Sequence, residues 1–384
     1  MKITKIKTID IPFTSWDFHY LNDLLILFGH EGPAKIFKIE NCNCKEVKDI
    51  GEILRSYGGN FVNTSEICPG IVLFGDYGIG GNIYLVSYNT STSETSTIGL
   101  DLKSSSQKIE FSPNNQFVAI AGDTDKSNII VFDIKKLSII SQFSGRIPLK
   151  WNDESTLIYK KSDEIIKRNI FTGVETTIIE KIEGFSVNSI DVNELGILFS
   201  MNQEHEYMRN TYSYTVSKFN DFSRCIYQSF KTDSRTVIYE ANCYTDNVKI
   251  INNETFLVVH GWHGDNTENG NLYIISMDKN NHLQKIPIAN YDSGYGHEGL
   301  YTPYSVIQLK NTCIFGLRRR NGKLKIVELS NGTTKELNID LIDYADNSNH
   351  WQNEIFSCKF MFDKDELLLI ANQKRHISVI RIEI

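Results

Sequence analysis

Three histidines, His260, His263 and His297, offer the sharpest chemistry in this chain. Imidazole is the commonest transition-metal ligand, and three such groups leave a coordination position open for water or substrate. His260 and His263 stand three residues apart, but in a loop that spacing carries little geometry. Solvated or hydrogen-bonded histidines outweigh a metal triad, and no cofactor is assigned. Two segments, Asp265-Asn-Thr-Glu-Asn-Gly-Asn and Asp123-Thr-Asp-Lys-Ser-Asn, place oxygen donors at alternate positions like fragments of a calcium loop. Neither has the bidentate Glu such a loop needs at its twelfth place, where Ser276 and Ile134 stand. Asp-, Asn- and Gly-rich hairpin turns explain both better. Cys42 and Cys44 lack a second cysteine pair and read as reduced thiols. Arg318, Arg319 and Arg320 suit a phosphate or an acidic peptide, or simply a solvated hairpin tip.

For catalysis the chain has acids, bases and tyrosines but no recognisable constellation. It has no Gly-x-Ser-x-Gly elbow, P-loop, dinucleotide fingerprint or His-Glu-x-x-His. Whether it is an enzyme stays open, with the balance against.

What must position these residues is a repeat. Eight times a short apolar run ends in a polar turn and a second run follows, starting near Leu24, Ile71, Phe117, Thr156, Leu195, Thr255, Thr312 and Glu366. The mean period of about 49 residues is that of solenoids and propellers. The clearest unit runs from Lys108 through a Ser-Pro-Asn-Asn turn to a nearly all-apolar second strand. A third strand from Asn128 follows, then an alternating fourth from Leu137. Four antiparallel strands in meander order make one blade. The last unit lacks a fourth strand, and the N-terminal segment 2–11 is the candidate to supply it, removing an open edge.

The expected fold is therefore all-β: a single closed propeller domain over residues 1–384, with eight four-stranded blades and the N-terminal strand completing the last. Seven blades remain possible if the weak fourth unit, 151–181, merges with a neighbour. Two stacked sandwiches fit the periodicity less well.

The unit with Phe111-Ser-Pro-Asn-Asn and Val131-Phe-Asp-Ile resembles the WD-repeat propeller superfamily, as does Gly296-His297 with Tyr301, Tyr304 and Val306 behind it. The resemblance covers the whole chain as architecture, with specific motifs in two units. It implies a propeller that serves as a protein-interaction platform, and it implies no chemistry. It also offers a structural role for His297, tying its blade together through hydrogen bonds.

In such a blade the second-to-third loop shares a face with the loop entering the next blade. Seven of the nine histidines fall on that face, with Trp262, Tyr295, Trp351 and the three arginines. Binding hot spots favour Trp, Tyr and Arg. The expected function is a non-catalytic scaffold that binds a protein partner through Trp262, His263, Tyr295, His297, Trp351 and Arg318, Arg319 and Arg320. Loop composition alone is the competing explanation of this enrichment. The alternative function is a small-ligand or metal-dependent hydrolase or lyase with a His/Tyr/Arg site at the channel mouth.

A net charge of −7 disfavours nonspecific nucleic-acid binding. No apolar run is long enough for a membrane helix. With seven cysteines, mostly isolated, and a basic but alternating start, the expected compartment is the cytoplasm.

Overall fold

The computed structural model describes residues 2–13, 15–21, 24–29, 34–40, 43–49, 59–68, 71–78, 83–89, 92, 94–100, 107–122, 128–203, 222–242, 245–260, 272–278, 280–289, 305–309, 312–319, 323–330, 333–340, 357–363, 366–373 and 376–383. Among them, 32 strands pair into eight four-stranded antiparallel sheets. Seven sheets are simple meanders spanning 15–49, 59–100, 107–144, 146–179, 185–241, 245–289 and 305–340, named here first to seventh. The eighth takes its last three strands from 357–383 and its outer strand, Lys2–Asp10, from the other terminus.

The third sheet shows why this sequence folds so. Strand Phe117–Gly122 is buried at every position, because both of its faces pack on neighbouring sheets. Ser138–Ser144, the outermost strand, is half-buried or exposed throughout. The turn between the first two strands is built by side chains. Ser112 Oγ donates to Asn114 Oδ1 at 2.8 Å and accepts from the Phe117 backbone N–H at 2.9 Å. Asn115 takes the left-handed conformation that Asn tolerates (φ 55°).

Second strands begin at Leu24, Ile71, Phe117, Thr156, Gly196, Thr255, Thr312 and Glu366. First strands of consecutive sheets pack side by side from the third sheet to the sixth, so they form an inner wall. Apolar clusters fill the junctions. Phe117 and Trp151 lie in the one between third and fourth sheets; Ile158 and Phe199 lie in the next. Tyr227 and Phe256 join the fifth sheet to the sixth, and Ile9, Phe18 and Ile370 join the eighth to the first.

One expectation is corrected. The sequence predicts a single closed ring of eight, or seven, blades, whereas the described residues form separate open sheets with no continuous ring of packing between them. Substantial packing between sheets, among the described residues, is found at six junctions. It makes two arcs: the third to sixth sheets, and the seventh and eighth continuing into the first and second. The physical reason is that hydrophobic periodicity specifies strands and their order but not how separate sheets meet. The connections 101–106 and 290–304, where the arcs would join, lie outside the described residues. Among those residues no helix is long and apolar enough to cross a membrane.

Candidate functional site

In a meander each strand reverses direction. Second-to-third connections and connections between sheets therefore leave from one end, and the two hairpin turns of each sheet from the other. His260 closes strand Thr255–His260 at the first end, opposite Thr245. Arg318 and Arg319 are the last two residues of strand Thr312–Arg319, opposite Leu324 and Lys323, so they belong to the ladder rather than to a hairpin tip. Trp262, His263, Tyr295, His297, Trp351 and Arg320 lie outside the described residues, as do the two calcium-like segments apart from Asn128. The longest second-to-third connection is neither of the two excursions that stand out in the sequence. It is 204–222, in the fifth sheet, and it carries His205, Tyr207, Arg209, Tyr212 and Tyr214.

The same end is tied together by side chains that sequence reasoning missed. Asn202, buried near the end of its strand, accepts from the Thr245 backbone N–H at 3.1 Å and donates to the Thr245 carbonyl at 3.2 Å. Asn188 donates to that carbonyl at 2.9 Å, and the Ser223 and Thr245 hydroxyls share a hydrogen bond of 2.7 Å. Asn372 repeats the donating half of the device between eighth and first sheets, bonding the Ser15 carbonyl at 3.1 Å, while its own Oδ1 accepts no hydrogen bond among the described residues. The signal was present: Asn-Gln ends the second strand in both units, at 202–203 and 372–373. Each clasp satisfies buried polar groups across a junction and so fixes where the next sheet starts. Cys225 sits beneath the first clasp, where burial pushes its thiol up to about 12, so it is inert near neutrality. His376 opens the last strand, and its Nδ1 lies 2.8 Å from Asp10 Oδ1 on the N-terminal strand.

The inner wall of the third to fifth sheets carries alternating charge. Glu110 Oε1 lies 2.9 Å from Lys108 Nζ and 3.1 Å from Lys150 Nζ. Burial pushes the Glu110 carboxyl up, but the two ammonium groups outweigh it and hold it below the usual carboxylate range. A carboxylate so clamped is a poor proton acceptor. Burial likewise works against the Lys150 charge, but Glu110 and Asp191 together raise its pKa. For Asp191 burial wins: its carboxyl is raised despite Lys150 and a 2.8 Å hydrogen bond from the Ile250 N–H.

These two acids give opposite pH dependences. Glu110, depressed in the folded state, contributes stability that is complete above its unfolded pKa (about 4.3) and is lost as pH falls through its folded value. Asp191, raised, makes the fold less stable as pH rises from about 3.9, its unfolded pKa, to its folded value, and has no further effect above that. E110Q should therefore cost about 2 kcal/mol at pH 7, with the loss shrinking in acid. D191N keeps an oxygen for Ile250 and should be neutral or stabilising at pH 7. Thermal melts at pH 4, 5.5 and 7 measure both. An E110Q chain as stable as the parent at pH 7 would contradict the role given to the clamp.

Among the described residues no group of three or more His, Cys, Asp or Glu is placed to hold a metal ion.

No sequence family and no curated protein matches the chain. Solved structures do. The computationally designed Ika8 protein superposes with a TM-score of 0.57 at 10% identity, over 97% of this chain and 99% of that one. The C-terminal WD40 domain of Sif2 superposes at 0.53 and 12% identity, over 99% and 98%. At such identities the likeness concerns the fold. The chain folds as a β-propeller, the architecture it shares with the WD40 domain of Sif2.

Proposed function

We propose that this chain is a non-catalytic scaffold that binds a protein partner through the end bearing its second-to-third and between-sheet connections. The observation that carries the reading is the clasped rim. Asn202 and Asn372 fix sheet starts on this rim, and the Asn202 clasp holds Thr245 opposite His260, where the connection 261–271 departs. Connections leaving from this same end hold Trp262, His263, Tyr295, His297, Trp351 and Arg320, with Arg318 and Arg319 at a strand end beside Arg320. A rigid frame carrying aromatic and Arg-rich loops is suited to recognition, because the frame limits the entropy lost on binding. The likeness to the WD40 domain of Sif2 supports the scaffold reading at the level of architecture.

Alanine at Trp262 and Trp351 should weaken capture of a partner from native lysate about tenfold each and leave the melting temperature nearly unchanged. A large fall in melting temperature would instead make these tryptophans part of the core. Elemental analysis of the untagged protein tests the other class of function. A stoichiometric metal lost on replacing His260, His263 or His297 would displace the scaffold in favour of a metal-dependent enzyme.

A further inference from the structure

At the opposite end of the strands, where the hairpin turns lie, an open groove of about 590 Å³ runs between third and fourth sheets. Pro113 and Phe117 form one side; Asn152, Asp153, Glu154 and Phe171 form the other. We propose that this groove binds an extended segment of a partner protein, one that carries an aromatic or branched aliphatic side chain next to a Lys or Arg.

Phe171 is the first reason. It is 63% exposed, among the most exposed large apolar side chains of the described residues, yet it is held firmly. Asn169 Oδ1 accepts from the Phe171 and Thr172 backbone N–H groups at 3.0 and 2.9 Å. The Gly173 N–H closes the turn onto the Asn169 carbonyl at 2.9 Å, with Gly173 at φ +73°. The Ile170 N–H donates to the Ser155 carbonyl, also at 2.9 Å, which ties this turn to the one bearing Glu154. Phe171 meets the buried Phe117 edge to face at 5.6 Å, and Phe117 stacks on Trp151. The aromatic contact thus runs from the core to the surface and ends in a fixed, water-exposed ring. Such a ring loses little entropy when a partner covers it.

Charge is the second reason, and it selects the occupant. Asp153 and Glu154 line the groove, and no Lys or Arg does among the described residues. Asp153 is engaged by the Ser155 N–H and hydroxyl and by Asn152 Nδ2, which keep it ionised against the effect of burial. Glu154 is exposed and has no ion pair among the described residues. An apolar floor with an acidic lip complements an apolar anchor flanked by a cation and repels phosphate or nucleic acid. Being open to solvent between two hairpin turns, the groove can admit a segment of an extended chain.

Random dodecapeptides displayed on phage and selected on the immobilised intact chain provide the probe. Enriched sequences should pair an aromatic or branched aliphatic residue with Lys or Arg. The best of them, fluorescently labelled, should bind F171A and E154K about tenfold more weakly than the parent. W262A, which alters the opposite end, should bind it unchanged, so this inference and the proposed function can fail separately. F171A changes an exposed side chain and should melt like the parent. Acidic or motif-free selections, equal binding to F171A, or no enrichment over the F171A chain would each overturn the inference. So would concentration-dependent self-association of the parent that F171A abolishes, because the occupant would then be a second copy of this chain.

Discussion

Deleting residues 2–10 should destroy the cooperative stability of the arc that contains the eighth sheet and make the chain aggregate. Strand Lys2–Asp10 pairs with His376–Glu383 over eight registered positions, from Lys2 opposite Glu383 to Asp10 opposite His376. It is more than an edge cover. Ile9 is 1% exposed and packs with Phe18, Leu25 and Ile370 in the cluster joining eighth and first sheets. The deletion therefore empties part of that junction and uncovers the backbone of Ile377-Ser-Val-Ile-Arg-Ile, an apolar edge open to other chains. Losing one buried Ile alone costs about 2–5 kcal/mol, and the unpaired ladder adds to that. The truncated chain should show no sharp thermal transition and should scatter light at concentrations where the parent stays clear. A synthetic peptide of residues 1–12 added in trans should restore the transition. A truncated chain that melts within a few degrees of the parent would show that the closing strand is dispensable.

The pairing of the two termini was legible in the sequence, because it followed from counting strands. Strand starts were readable too, since buried second strands such as Phe117–Gly122 and Glu366–Gln373 are almost unbroken apolar runs with polar turns before them. The one displacement, Leu195 against Gly196, arises because the tight Asn193–Gly196 turn places its own leucine on the surface. Ring closure could not be read, since it depends on junctions to which no periodicity points. The Asn202 clasp joins residues 43 apart in sequence, and Asn-Gln is too common a dipeptide to draw notice. The groove escaped for a different reason. Histidines and tryptophans drew the reading to one end, while Phe171, next to Thr172 and Gly173, looked like any turn residue. Its fixed exposure depends on the bond between Ile170 and Ser155, which only the folded hairpins create.

Gly196→Val should destabilise the fifth sheet by about 3 kcal/mol or more, although Gly196 is not a residue at which φ demands glycine. The constraint is space. A Cβ there would stand 2.5 Å from the Gln228 backbone carbonyl and 2.6 Å from the Tyr227 hydroxyl. Neither can withdraw cheaply. Gln228 pairs with Ile197 in the ladder, and Tyr227, 8% exposed, lies with its ring 5.1 Å from that of Phe256 in the junction to the sixth sheet. The turn cannot yield from its own side, because Asn193 Oδ1 holds the Leu195 and Gly196 N–H groups at 2.9 and 3.0 Å. Overpacking here must spread the fifth sheet or push Tyr227 into its neighbour. Gly184 supplies the control. It adopts φ +76°, and a Cβ added there would meet nothing within 4 Å, so G184A incurs only the backbone penalty of about 1 kcal/mol. Denaturant unfolding of both variants separates the two mechanisms. Adding Y227F to G196V should recover only part of the loss, because the Gln228 carbonyl remains in the way. Full recovery would mean that the hydroxyl, and not the close approach of two backbones, is what requires glycine at this position.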